Sequence, residues 1–197
     1  MSGRVAPLDP PYDPDTRKLF DLVMPEGMEP LRLFRTLARN HRIFPRFMRA
    51  GVLDRGPVAI RDRELVIHRT TARCGSEYEW GVHVAAFARP LGMSGEWIRA
   101  TALAGPDDPI WSPREAALVR LCDELHDTAD VSDGLWEELC RHFSEEQRIE
   151  LIYAVGMYHA VSFLTKALRI ELEPFGERFA ARSDGAPAPA AAPPPKP

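Results

Sequence analysis

Residues 60–89, IRDRELVIHRTTARCGSEYEWGVHVAAFAR, constrain the fold more than any other part of the chain. The stretch reads as two helices, predicted at 61–74 and 77–89, with a break at Cys74-Gly75 and a stop at Pro90 and Gly92. So short a connection makes the two helices antiparallel neighbours. On the first, Glu64, Ile67, Thr71 and Cys74 recur at helical spacing and share a face. On the second, Glu79 and His83 stand one turn apart. If the facing sides carry them, Glu64 lies across from Glu79 and His83, and two carboxylates meet an imidazole in a mostly apolar helix pair. A plainer reading uses some of the same residues. Ser76-Glu77-Tyr78-Glu79 fits a capping box, in which Glu79 closes a helix start and His83 is a half-buried residue with a local partner.

The rest of the chain is helical in pattern too. Asp15 can cap a short helix through Leu19, Phe20, Leu22 and Val23, and Pro30 can open another carrying Leu31, Phe34 and Leu37. A third piece holds Phe44, Phe47 and Met48, with Pro45 near its start. Ser94 starts a helix with Trp97 and Ile98 inward. Ser112-Pro113-Arg114-Glu115 combines a capping box with proline at the first helical position, predicting a helix over 113–126. Ser132 opens one over 133–142, and the box Ser144-Glu145-Glu146-Gln147 opens the longest, over 145–171. On that last helix Ile149, Ile152, Val155 and His159 form one track, and Tyr158, Ser162 and Lys166 a more polar one. Gly156 would let another backbone approach. Apolar residues on more than one side imply burial in the domain or at a subunit contact. Strand-like alternation of convincing length is missing, so the fold class is all-α.

Three segments follow from composition: residues 1–29, Pro-rich and extended or partly helical; a helical domain over 30–182; and an Ala/Pro-rich disordered tail over 183–197, SDGAPAPAAAPPPKP. With 197 residues, 45% of them hydrophobic, the chain can bury a real core. Its net charge of −4 gives no reason to expect nucleic acid or a membrane surface as partner. No apolar run approaches the roughly 20 residues of a membrane helix, and MSGRVAPLDPPYDPD has no signal-peptide stretch, which points to the cytoplasm. Cys74, Cys122 and Cys140 are odd in number and form no CxxC pair, as expected for reduced thiols.

The pattern Glu64-x11-Ser76-x2-Glu79-x3-His83 resembles the Glu-x11-Cys-x2-Cys-x3-His signature of the carboxymuconolactone decarboxylase / alkyl hydroperoxidase D-like superfamily. Glu and His fall in register, while both motif cysteines are replaced. RDRELVIHRT and GSEYEWGVH resemble the non-redox branch, and the similarity extends less specifically over about residues 30–172. The resemblance implies a helical bundle around a central helical hairpin, assembled as a homo-oligomer.

It also implies two kinds of enzyme. One is a lyase or isomerase that acts by acid–base chemistry on a small carboxylated or lactone substrate. Loss of carbon dioxide leaves an enol-like anion that needs a placed proton donor. His83 would be that donor, with Glu79 orienting it or holding its proton and Glu64 shuttling a second proton, its pKa raised if buried near another carboxylate. Ser76, Tyr78, Tyr158 and His159 are candidates for lining or orienting the pocket. The other is a peroxiredoxin-like activity, for which Ser76 and Glu79 cannot replace the thiolates; Cys74 is the remaining redox candidate. Glu79 and His83, with Glu64 or His159, could also be read as metal ligands, but no metal or cofactor is assigned. A non-catalytic oligomer that binds a small molecule is the remaining alternative.

Overall fold

The computed structural model describes residues 3–179, so the expected tail at 183–197 lies outside the described residues. The helices are α1 Pro14–Asp21, α2 Arg32–Leu37, α3 Phe44–Ala50, α4 Ile60–Arg73, α5 Glu77–His83, α6 Gly95–Leu103, α7 Pro113–Thr128, α8 Asp133–His142 and α9 Glu145–Ala167. A π-helical turn, Val84–Ala88, continues α5. Among the described residues there is no strand, and the all-α expectation holds.

α4 runs through the middle of the bundle, and α5, α6, α7 and α9 pack on it. Every residue from Asp62 to Thr71 is buried. A buried helix with five charged or imidazole side chains is stable only if those groups find partners. Asp62 pairs with Arg114 at 2.8 Å, and Arg69 grips Asp123 with two bonds of 2.7 Å while also donating to the Ala104 carbonyl. Arg63 donates to the carbonyls of Val52 and Asp54. The bonds from Arg69 and Asp62 tie α4 to α7 and to the end of α6.

The predicted break is a Schellman turn. Gly75 is left-handed at φ 63°, its N–H bonds the Ala72 carbonyl, and the Ser76 N–H reaches back to Thr71 at 2.8 Å. Lys166 covers the freed Cys74 carbonyl at 2.6 Å. α5 then returns antiparallel along α4, as the hairpin reading expects. The capping boxes at Ser112 and Ser144 are both formed, and Ser94 accepts from the Trp97 N–H.

The core has two lobes. Leu65, Val66, Trp80, Trp97, Leu118, Leu121, Leu139 and Leu151 fill one; Phe20, Leu33, Phe44, Ile67, Tyr78, Val82, Tyr158 and Val161 fill the other. Phe20 belongs to the second, so residues before 30 contribute to the core. Their extended part docks as well: the Leu8 N–H bonds the Arg35 carbonyl, and Arg35 pairs with Asp9 at 2.7 Å.

Several expectations are corrected. α1 begins at Pro14 with Asp13, not Asp15, as its cap, because Asp13 accepts the Thr16 N–H. The second hairpin helix is not α-helical to residue 89; past His83 its bonding lengthens, as in Arg89 N–H to the Val84 carbonyl at 3.0 Å. α9 stops at Ala167, since Arg169 turns left-handed at φ 51° and the Ile170 N–H bonds back to Thr165. Within the chain no backbone approaches Gly156, which faces solvent, so the close approach expected there is left to a second copy. A backbone comes much closer to Gly81, where a Cβ would lie 2.1 Å from the Glu177 carbonyl oxygen. There the segment after α9 crosses α5, held by Glu177 N–H to Gly81 O and by Phe179 N–H to Glu77 Oε1.

Candidate functional site

Two consequences of the hairpin define the site. The antiparallel return sets α5 beside Glu64 of α4, and one helical turn sets Glu79 beside His83. The Nδ1 edge of His83 lies 2.8 Å from Glu64 Oε2. Its Nε2 edge faces the Tyr158 hydroxyl at 3.2 Å and Glu79 Oε1 at 3.5 Å. All four side chains are buried, Glu64 completely. Phe87, on the π-helical turn, stacks on the imidazole with ring centroids 5.0 Å apart.

Burial is the largest influence on His83 and opposes its charge. The Glu64 carboxylate, its hydrogen bond, and Glu79 together outweigh that influence and raise the pKa to about 9. Burial likewise pushes the Glu64 carboxyl up, but the charge and hydrogen bond of His83, with His68 and Arg63, leave it below the ordinary value. The pair is therefore imidazolium and carboxylate. This corrects the expectation that Glu64 has a raised pKa suited to shuttling a proton. Burial also raises the Tyr158 phenol well above its usual value, and the carboxylates of Glu79 and Glu64 add to this. Tyr158 remains a neutral hydroxyl.

Sequence reasoning overlooked three neighbours. His68 sits a turn beyond Glu64, bonds the Glu64 carbonyl through Nδ1, and is driven by burial to a pKa of about 4. Arg63 places Nε 3.5 Å from Glu64 Oε1. Helical spacing flags two of them: His68 stands one turn after Glu64, and Phe87 one turn after His83.

Glu64, Glu79, His83 and Tyr158 thus come together, and the remaining candidates do not join them. Ser76 makes no capping bond. Its backbone is at φ −89°, ψ 80°, and its hydroxyl bonds Thr165 at 2.8 Å, so the capping-box reading of Glu79 is also set aside. Tyr78 points toward α2, donating to Glu173 at 2.6 Å and accepting the Leu33 N–H. His159 follows Tyr158 in α9, and consecutive helical residues point about 100° apart; its ring meets His126. Cys74 lies beside His126 as well.

Glu64 and Glu79 approach opposite nitrogens of His83. The three cannot converge on one ion, which removes the metal reading at this position. Buried Glu64 Oε1, Glu79 Oε2 and His68 Nε2 have no hydrogen-bond partner within the protein. Buried polar atoms of that kind call for a polar guest or water. A surface groove of about 220 Å³, bordered by Asp13, Thr16, His41 and Phe44, includes none of these residues.

The bundle defines an all-α protein with an alkyl hydroperoxidase D-like fold. The fold is shared with an uncharacterized peroxidase-related protein with an AhpD core from Ralstonia eutropha JMP134, at TM-score 0.74 and 17% identity, covering 86% of this chain and 93% of that one. A protein of unknown function from Agrobacterium tumefaciens, a putative antioxidant defence protein AhpD, matches at TM-score 0.64 and 21% identity over 70% and 94% of the two chains. A cysteine-to-alanine variant of the debrominase Bmp8 in complex with 2,3,4-tribromopyrrole matches at 0.70 and 16%, over 89% and 94%. No protein-family model and no curated protein matches the sequence.

Proposed function

We propose that the chain is an acid–base enzyme of the non-redox branch of the carboxymuconolactone decarboxylase superfamily, decarboxylating or isomerising a small carboxylated or lactone substrate. The observation that supports it is the buried Glu64–His83 ion pair with a second carboxylate, Glu79, at the far edge of the ring. Glu64 holds Nδ1 and keeps the imidazole charged. The Nε2–H, directed at Tyr158 and Glu79, is then the proton available for delivery.

When the bond to carbon dioxide breaks, its electron pair stays on the substrate as an enolate. His83 donates the Nε2 proton to that carbon and becomes neutral; solvent restores the proton afterwards. Glu64 loses no proton in this cycle, and Tyr158 stabilises the substrate by hydrogen bonding. A fellow member of the fold holding a small planar ring, tribromopyrrole, agrees with a compact guest.

A peroxidase reading draws little support from the residues. Ser76 and Glu79 stand at the positions of the redox pair, and burial raises the Cys74 thiol above its ordinary pKa. The test is a turnover screen over small carboxylic acids, lactones and peroxides. His83→Gln should cut kcat on the accepted acid or lactone by about 10²–10⁴-fold, the usual share of a positioned acid. Peroxide turnover lost with Cys74→Ser alone would refute the acid–base reading.

We also propose a homo-oligomer built on α9. Ile149, Tyr153 and Phe163 stand exposed along its outer side, with exposed Gly156 and Ala160 between them at spacings of three and four. Small residues flanked by large apolar ones suit close contact with a second copy of the same helix.

A further inference from the structure

Where the carboxyl end of α4 meets α7 and α9, a second group of side chains converges. Cys74 Sγ lies 3.8 Å from His126 Nδ1, and that nitrogen lies 3.0 Å from His159 Nε2. One ligand atom from each of the three falls within 4.8 Å of the others, and among the described residues this is the group that does so. We propose that Cys74, His126 and His159 bind a zinc-like divalent transition-metal ion, with three protein ligands and a fourth position open to water.

The distances carry the first part of the argument. A tetrahedral zinc with bonds of about 2.3 Å to sulfur and about 2.0–2.1 Å to nitrogen holds its ligand atoms roughly 3.3–3.7 Å apart. The observed 3.8 and 3.0 Å lie close to that range, and the third pair lies within 4.8 Å. One thiolate and two imidazoles form a donor set for borderline-soft ions, not for calcium or magnesium.

The second part is the tautomer of His159. Its Nδ1 lies 2.9 Å from the Val155 carbonyl, which can only accept, so Nδ1 carries a proton. In the neutral ring Nε2 then presents its lone pair to His126 Nδ1, with the Cys74 sulfur within 4.8 Å. An imidazole held to a backbone carbonyl by its far nitrogen is the usual support of a metal-bound histidine. The third part is pre-organisation. The three ligands come from three packed helices, and the turn bearing Cys74 is fixed by its Schellman bonds and by Lys166 on its carbonyl. Nearby Arg73 is engaged by Asp123 and Asp127, so its charge does not face the group unopposed.

The same atoms could instead make a Cys–His–His relay that activates a nucleophilic thiol, and one experiment separates the two uses. The full-length chain, reduced and stripped with a chelator, is titrated with Co²⁺ and then Zn²⁺. The metal site predicts uptake of about one equivalent, visible bands of four-coordinate cobalt with a thiolate charge-transfer band, and displacement by Zn²⁺. Cys74→Ser should abolish the charge-transfer band and weaken binding by more than the 10–100-fold typical of outer-shell losses. His126→Gln and His159→Gln should weaken binding comparably, and Cys140→Ser, at an exposed thiol, should change nothing. Circular dichroism confirms that each variant is folded. No cobalt uptake by the parent chain, or an unchanged spectrum in folded Cys74→Ser, overturns the proposal. So does rapid alkylation of Cys74 that depends on His126 and is indifferent to Zn²⁺.

Discussion

Glu64 and His83, 19 residues apart in sequence, meet at 2.8 Å with both side chains sealed from solvent. A buried charge without a partner is severely penalised, so each of the two enforces the ionised state of the other. That mutual dependence ties the charge state of the site to the stability of the fold.

Stability should depend on pH with opposite slopes on either side of about 6.5. His83 has a folded pKa raised to about 9 from 6.5, so its contribution is complete below 6.5 and is lost as pH rises toward 9. His68 is shifted the other way, to about 4. The unfolded chain therefore takes up its proton first as pH falls from 6.5, and stability drops toward 4. Chemical denaturation across pH 4–9 should show a maximum near 6.5. His83→Gln should remove the fall in stability that His83 contributes between 6.5 and 9.

Much of this was legible in the sequence. The glycine at position 75 and the serine caps announced the helix starts and the hairpin, and the hairpin with one helical turn placed Glu64, Glu79 and His83. Other features had no local signature. A π-helical turn differs from an α-helical one by a single step of hydrogen-bond register, and Val84–Ala88 has no proline or glycine to mark it. Ser76-x-x-Glu79 matched a cap that never formed, because Thr165 on α9 claims the Ser76 hydroxyl. The grouping of Cys74, His126 and His159 needs three helices joined across 52 and 33 residues. Side-chain spacing along one helix cannot show it.

Arg69 should be a stability determinant outside the site. Its two 2.7 Å bonds to Asp123 join α4 to α7, and only 7% of its side chain is exposed. Arg69→Leu should cost roughly 3 kcal/mol in urea unfolding, because it leaves a largely buried carboxylate with the longer 3.4 Å pairing to Arg73 in place of the bidentate one. Arg69→Lys should recover less than half of that, since an ammonium cannot reproduce the bidentate fork. Equal stability of the lysine variant and the parent would contradict this.

Gly81→Ala tests the crossing of the C-terminal segment. Alanine ordinarily stabilises a helix interior by about 0.5–1 kcal/mol over glycine. Here its Cβ would meet the Glu177 oxygen at 2.1 Å, so a net loss of about 1–3 kcal/mol is expected. Hydrogen exchange should also quicken at the Glu177 amide. A stabilised variant would mean that the segment does not sit on α5.

The outer side of α9 can be tested by size. Light scattering should find the parent larger than one chain, and Ile149→Glu with Phe163→Glu should reduce it to a monomer without loss of helicity. A monomeric parent would refute assembly through this face.

The most direct measurement is the ionisation of His83 itself, read from long-range ¹H–¹⁵N correlations of its ring. The account predicts an imidazolium at pH 7, protonated on both nitrogens and titrating near 9. In Glu64→Gln the titration should fall by at least one pH unit, because the carboxylate that opposes burial is gone. A neutral His83 ring at pH 7 in the parent chain, or a titration that Glu64→Gln leaves in place, would contradict the account.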